Sequence, residues 1–200
     1  MAISTYAELL TAAANWTGRL DLTSRIPEFI TLAEAKLNRD LRCRQMEQRS
    51  YATATEYMAL PTDYLELRNV QLNTTPKTPL KTVPPGYGDT YYSNASGKPI
   101  YFAILANQIQ LMPAPDATYE IEIDYYQKIP ALTGSNTTNW LLSYAPDMYL
   151  YAALLEASVY LTDDPRIPGW RDGFQSVFNS LNSSDRKQRW SGAPMVVRPS

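Results

Sequence analysis

Three carboxylates at alternate positions, Glu120, Glu122 and Asp124, are the residues best placed by type and spacing to do chemistry. Tyr119, Ile121, Ile123 and Tyr125 alternate with them, so a strand over 119–126 puts acids on one face and apolar side chains on the other. Same-face strand residues lie about 6.5–7 Å apart, a separation compatible with paired-carboxylate glycoside hydrolysis or a divalent cation. The competing reading is a solvated sheet face or an interface with a basic partner, and no substrate-cleft signature accompanies the acids. Asp163 and Asp164 before Pro165 read as a helix-ending loop without calcium-loop spacing. The chain has no histidine, which removes Ser-His-Asp triads, Cys-His dyads and His-ligated zinc. Cys43, flanked by Arg42 and Arg44, invites a lowered pKa, but without an imidazole partner it reads as a bystander. As the single cysteine it cannot form an internal disulfide, which points to an intracellular folding compartment. Gly86 and Gly88 sit in a proline-rich turn with no P-loop lysine or helix after them. No catalytic residue, cofactor site or metal site is therefore assigned.

Residues suited to binding stand out more. Arg39, Arg42, Arg44 and Arg49 form a basic contact cluster near the end of the second expected helix. Cations there complement a helix C-terminus, and equally suit DNA backbone or an acidic partner surface. Arg186, Lys187 and Arg189 invite the same two readings. Fifteen tyrosines against four phenylalanines favour half-buried surfaces and interfaces, because tyrosine joins a large apolar face to a polar tip. Tyr87, Tyr91 and Tyr92 gather in a stretch stiffened by Pro84 and Pro85, read either as a locally packed loop or as a docking loop for a neighbour.

The elements that must position these residues follow from periodicity. Two hundred residues, 44% hydrophobic and 19% charged, can bury a core without disulfides or metals. The net charge of −2 is too balanced to mark the whole chain as a nucleic-acid binder. A first helix is expected over 5–16, with Thr5 and Glu8 at capping-box spacing and Gly18 as its stop. A second begins near Ser24 and carries Ile26, Phe29, Ile30, Ala33, Leu37 and Leu41 on one face. From 48 to 132 alternation and dense turns predict a small antiparallel sheet with long loops, including a hairpin of 100–105 and 108–112 across Ala106-Asn107. Helical spacing returns at Pro146, with Met148, Tyr151, Ala152, Leu155 and Val159 as the buried stripe, and in a last helix over 167–188 bearing Trp170, Phe174, Val177, Phe178 and Leu181. The fold expected is α+β: N- and C-terminal helices forming a helical bundle (1–46 and 140–190), a central antiparallel β-rich region (47–139) and an extended C-terminal arm (191–200). No basic apolar leader and no apolar run near 20 residues occurs, so neither secretion nor a membrane span is expected.

The ordered series of features resembles the head-to-tail connector, or adaptor, proteins of tailed bacteriophages, including the tail-tubular-A-like adaptors. It is carried by Tyr6-Ala-Glu-Leu-Leu, the second helix around Phe29 to Arg42, the Leu60-Pro61-Thr62-Asp63-Tyr64-Leu65 turn and the strand end Ile109 to Pro115. Ile123-Asp-Tyr-Tyr126, Asn139 to Leu142, Pro146-Asp147, Tyr151 to Ala157, Asp163 to Arg166, Trp170 and Ser191-Gly192 complete it. The resemblance implies a structural virion protein in the neck, made in the host cytoplasm. It implies a homo-oligomeric ring of about twelve copies beneath the portal protein, extending a channel through which double-stranded DNA passes and docking tail or nozzle proteins. It also implies that the C-terminal extension reaches the portal or a neighbouring subunit, here through Trp190, Met195, Val196, Val197 and Arg198. Two alternatives stay open: a peptidoglycan-degrading connector enzyme, and another neck component such as a stopper or tail-completion protein.

Overall fold

The computed structural model describes residues 3–161 and 164–190. The chain is α+β and divides into two compact units, Met1–Gln45 with Ile129–Ser200, and Met46–Lys128.

The first unit is helical. Its opening helix α1 (Tyr6–Thr17) starts at a capping box: the Glu8 N–H donates to Thr5 Oγ1 at 3.3 Å, and the Glu8 carboxylate accepts the Thr5 N–H at 3.0 Å. It stops at Gly18, whose φ of +66° suits a residue without a Cβ. A 3-10 segment, Leu20–Arg25, then leads into α2 (Ile26–Asp40), with Pro27 in its first turn. Helix α2 begins later than its N-cap-like Ser24 predicts, because the preceding residues close i to i+3 bonds instead. Ile26, Phe29, Ile30, Ala33, Leu37 and Leu41 are all buried as their spacing predicts.

Two later helices, α4 (Trp140–Tyr144) and α5 (Pro146–Ala157), precede the long α6 (Ile167–Trp190). Helix α5 packs against α1, α2, α4 and α6, and Met148, Tyr149, Leu150, Ala152, Ala153, Leu154 and Ala157 are all buried. An element surrounded by partners buries more than one stripe, so Tyr149 and Leu154 join the core although the single-face pattern omitted them. Tyr151 and Leu155, expected in the buried stripe, are only half-buried, and Val159 departs further. The chain tightens into a 3-10 turn at Ser158–Tyr160, and the extrapolated helical face overshoots, leaving Val159 83% exposed. In α6, Trp170 and Leu181 are buried while Phe174, Val177 and Phe178 are half-buried. Gly173 lies where a Cβ would come within 2.9 Å of the Tyr151 ring, so α6 approaches α5 closely there.

The second unit holds eight strands: β1 (Glu47–Thr53), β2 (Tyr57–Ala59), β3 (Tyr64–Leu72), β4 (Thr78–Pro79), β5 (Lys81–Thr82), β6 (Tyr101–Leu105), β7 (Gln108–Met112) and β8 (Glu120–Gln127). They form two sheets rather than the single one expected, ordered β1-β8-β3-β4 and β2-β7-β6-β5. The β5–β6 pair is parallel, so the region is mixed and not purely antiparallel. Splitting into two sheets lets both bury one face in a shared core. Val70, Leu72, Ile121, Ile123 and Tyr125 come from the first sheet, and Met58, Phe102, Ile109 and Leu111 from the second. Each such Val, Leu, Ile, Phe or Met side chain contributes about 1.5–3 kcal/mol by leaving water. The hairpin across Ala106-Asn107 forms as its turn signal predicts, with Ala106 at φ +53°.

Candidate functional site

The acidic strand is β8, which sits between β1 and β3. Its alternation holds, with Ile121, Ile123 and Tyr125 in the core, but the opposite face is no open row of acids. Register sets Arg49 opposite Asp124 and Gln71 opposite Glu122. Arg49 Nε donates to Asp124 at 2.7 Å and lies 3.0 Å from Glu122; Gln71 donates to Glu122 at 2.9 Å, and Lys77 closes on its other oxygen. Glu122 is 0% exposed. The bond from Lys77 leads the forces that hold its carboxyl below the usual range, with Gln71 and Arg49 acting in the same direction. A saturated, ionised carboxylate is the reverse of the proton donor that glycoside hydrolysis needs, and Glu120 is engaged by Asn73. This face is a cross-strand ionic lattice that ties β1, β8 and β3 together. Among the described residues no group of three His, Cys, Asp or Glu side chains could hold a metal ion.

The tyrosine stretch folds as a short helix, α3 (Tyr87–Tyr91), not as an open loop. Tyr87 lies at the centre of an aromatic cluster, 4.6 Å from Tyr91, 6.1 Å from Tyr92 and 5.8 Å from Tyr101 between ring centroids. Tyr101, on β6, is the member that local sequence reading missed; only the β6 register brings it in. Helix α3 can sit on β7 because Gly88 has no Cβ, which would meet Met112 Sδ at 2.8 Å. Tyr91 remains 68% exposed. A polar groove of about 320 Å³ opens beside it, lined by Glu56, Asp89, Tyr92, Gln110 and Met112 among others. The cluster is thus packed on its inner side and presents one aromatic ring outward.

The four arginines grouped by sequence divide between the two units. Arg49 belongs to the ionic lattice of the sheet unit, while Arg39, Arg42 and Arg44 follow one another at the end of α2. Arg42 donates to the carbonyls of Asn38 at 2.8 Å and Leu41 at 2.6 Å, occupying the helix terminus. The Arg44 N–H and guanidinium reach Asp185 and Gln188 of α6, each at 2.7 Å. The second basic group, Arg186, Lys187 and Arg189, therefore lies beside the first, about 140 residues away in sequence. Cys43, between these arginines, is buried. Of the expected contact arm, Trp190 is the last residue of α6, and Met195, Val196, Val197 and Arg198 lie outside the described residues.

Two polar constructions of the helical unit were not anticipated. Glu34, 5% exposed on the apolar side of α2, accepts the Leu132 N–H at 2.8 Å and the Tyr149 hydroxyl at 3.1 Å. Asn139 donates to Tyr149 and to the Pro130 carbonyl, each at 2.7 Å, and caps α4 through the Leu142 N–H. With Asn38 accepting from the Ile129 N–H at 2.8 Å, these bonds fasten 129–142 to the helices. The available signal was Glu34 itself, a charge at the position that continues Ile26 and Ile30 at intervals of four. The second construction is Arg166, which donates to the Trp16 and Thr17 carbonyls at the end of α1, grips Asp164 and stacks on Trp170.

These features are polar clamps and half-exposed aromatic or basic surfaces, the equipment of a protein that works through contact. No curated protein matches the chain. The model of the SU10 adaptor protein family matches residues 4–198, nearly the full length, and specifies the family without the tail-tubular-A-like subdivision. It is a family of structural adaptors and not of enzymes. The chain belongs to the SU10 adaptor protein family, the phage structural adaptors of the virion neck.

Proposed function

We propose that the protein assembles as a head-to-tail ring of about twelve copies beneath the portal, extending the DNA channel and offering a platform to tail proteins. The observation that carries this reading is the family match over residues 4–198. The physics of the chain supports it. Identical subunits meeting head to tail need two different surfaces, and the exposed Tyr91 of the sheet unit is suited to one of them. Many modest contacts in a closed ring add up to a stable assembly without a strongly apolar subunit. In this reading the α3 tyrosines Tyr87, Tyr91 and Tyr92 meet a neighbour or tail protein, and Trp190, Met195, Val196, Val197 and Arg198 meet the portal or an adjacent copy.

The experiment is sedimentation of the purified chain with and without portal rings of the same phage. A complex heavier than the portal, weakened by removal of residues 191–200 and by Tyr91→Ala, is the expected outcome. Free sedimentation of both components at micromolar concentration would contradict it.

A further inference from the structure

We infer that the basic end of the helical unit, built from the last turns of α2 and α6, binds the phosphate backbone of duplex DNA without sequence preference. Six cations meet there: Arg39, Arg42 and Arg44 from the α2 end, and Arg186, Lys187 and Arg189 from α6, with Arg44 on Gln188 joining the two sets. Against them stand two carboxylates, Asp40 and Asp185, and Asp185 is buried beneath the Arg44 N–H and Arg189. On a chain of net charge −2 this is a local concentration of positive charge that folding created from two distant segments.

Helix-end stabilisation does not account for all of it. Arg42 already occupies the α2 terminal carbonyls and Arg189 already pairs with Asp185. Arg39, Arg186 and Lys187 are exposed, and their side chains form no ion pair with the described residues. Charges left in water on long stems contribute little to a fold, yet each can displace a counterion from a polyanion.

The surroundings favour phosphate over an acidic protein. Residues 182–188 of α6 read Asn-Ser-Ser-Asp-Arg-Lys-Gln, with no apolar or aromatic side chain among them, and α2 ends in Asn-Arg-Asp. A protein interface is organised around an apolar or aromatic centre with a polar rim, which this stretch lacks. Single-stranded binding stacks successive bases on several aromatic platforms, whereas the aromatic beside this stretch, Tyr144, lies with its hydroxyl against Ser184; contact with duplex backbone needs only mobile cations and hydrogen-bond donors. The inference rests on the adaptor reading in one respect, that a channel brings duplex DNA to the protein.

The test is fluorescence anisotropy of the full chain with a duplex of about 30 base pairs, from about 50 to 200 mM salt. Binding should weaken steeply with salt. The triple variant Arg39→Gln, Arg186→Gln, Lys187→Gln should lower affinity at least about tenfold at low salt and flatten the log–log salt slope by about 2–3. The charge-matched variant Lys81→Gln, Lys98→Gln, Lys128→Gln, on the sheet unit, should leave both unchanged. Three results would overturn the inference: no duplex binding at low salt, equal losses in the two triple variants, or capture of polyglutamate in place of duplex, which would assign the surface to an acidic protein. Binding is read on the purified chain without portal, so its failure is distinct from failure of the ring to form.

Discussion

Replacing Glu34 by alanine removes the acceptor that fastens 129–142 to the helical unit. Two donors lose their partner, the Leu132 N–H at 2.8 Å and the Tyr149 hydroxyl at 3.1 Å. An unpaired buried donor costs about 1–3 kcal/mol, and relief of the desolvated carboxylate offsets part of the pair, leaving a net loss of about 2–4 kcal/mol. At about 2–4 °C per kcal/mol for a chain of this size, the unfolding midpoint should fall by roughly 4–16 °C. Glu34→Gln keeps an acceptor oxygen and removes the charge, so it should lose much less. Its comparison with wild type also carries a pH signature. Burial pushes the Glu34 carboxyl above its ordinary value of 4.5, while the bonds from Leu132 and Tyr149 pull the other way. A raised carboxyl pKa means that the folded state holds the proton more tightly than the unfolded one. The associated stability is fully present below 4.5 and is lost as pH rises through the folded value. Wild type should therefore gain on Glu34→Gln as pH is lowered from neutrality toward 4.5. Thermal and urea unfolding followed by circular dichroism across that range reads both effects. An alanine variant within about 0.5 kcal/mol of wild type, or a wild-type–glutamine difference that is flat or reversed with pH, would refute the reasoning.

Gly173→Ala should destabilise by about 1 kcal/mol, since overpacking against Tyr151 outweighs the helix-propensity gain, whereas Gly169→Ala, with open space at its Cβ, should stabilise by about 0.5 kcal/mol; paired melting curves decide. Ala106→Gly should stabilise the β6–β7 hairpin by about 1 kcal/mol because alanine is held at φ +53°, measured by urea titration. The Asp164 carboxyl is held near 2 by the Arg166 bonds. Its contribution is present above the ordinary 3.8 and lost as pH falls through that window toward 2, so Asp164→Asn should lower the midpoint at neutral pH and lose its difference from wild type in strong acid.

Local signals reached the individual elements and stopped where distant segments meet. Thr5 with Glu8 and Gly18 bounded α1, and Ala106-Asn107 placed the hairpin, because each signal is closed within a few residues. The acids of β8 alternated as expected, but their chemistry depended on Arg49 and Lys77, which only sheet register delivers. Tyr101 joined Tyr87 for the same reason. The division into two sheets was hidden because β2, β4 and β5 are two or three residues long, too short to show a period. Asn139, predicted to lie in a polar loop, turned out to be a buried cap: its bond to the Leu142 N–H is local, but its bond to Tyr149, itself held by Glu34, joins segments distant in sequence.

The measurement closest to the central claim is cryo-electron microscopy of the purified chain mixed with its portal. The account predicts a closed ring of this chain stacked coaxially on the portal, enclosing a channel wide enough for duplex DNA. Portal rings that remain bare at saturating concentrations of the chain would contradict it.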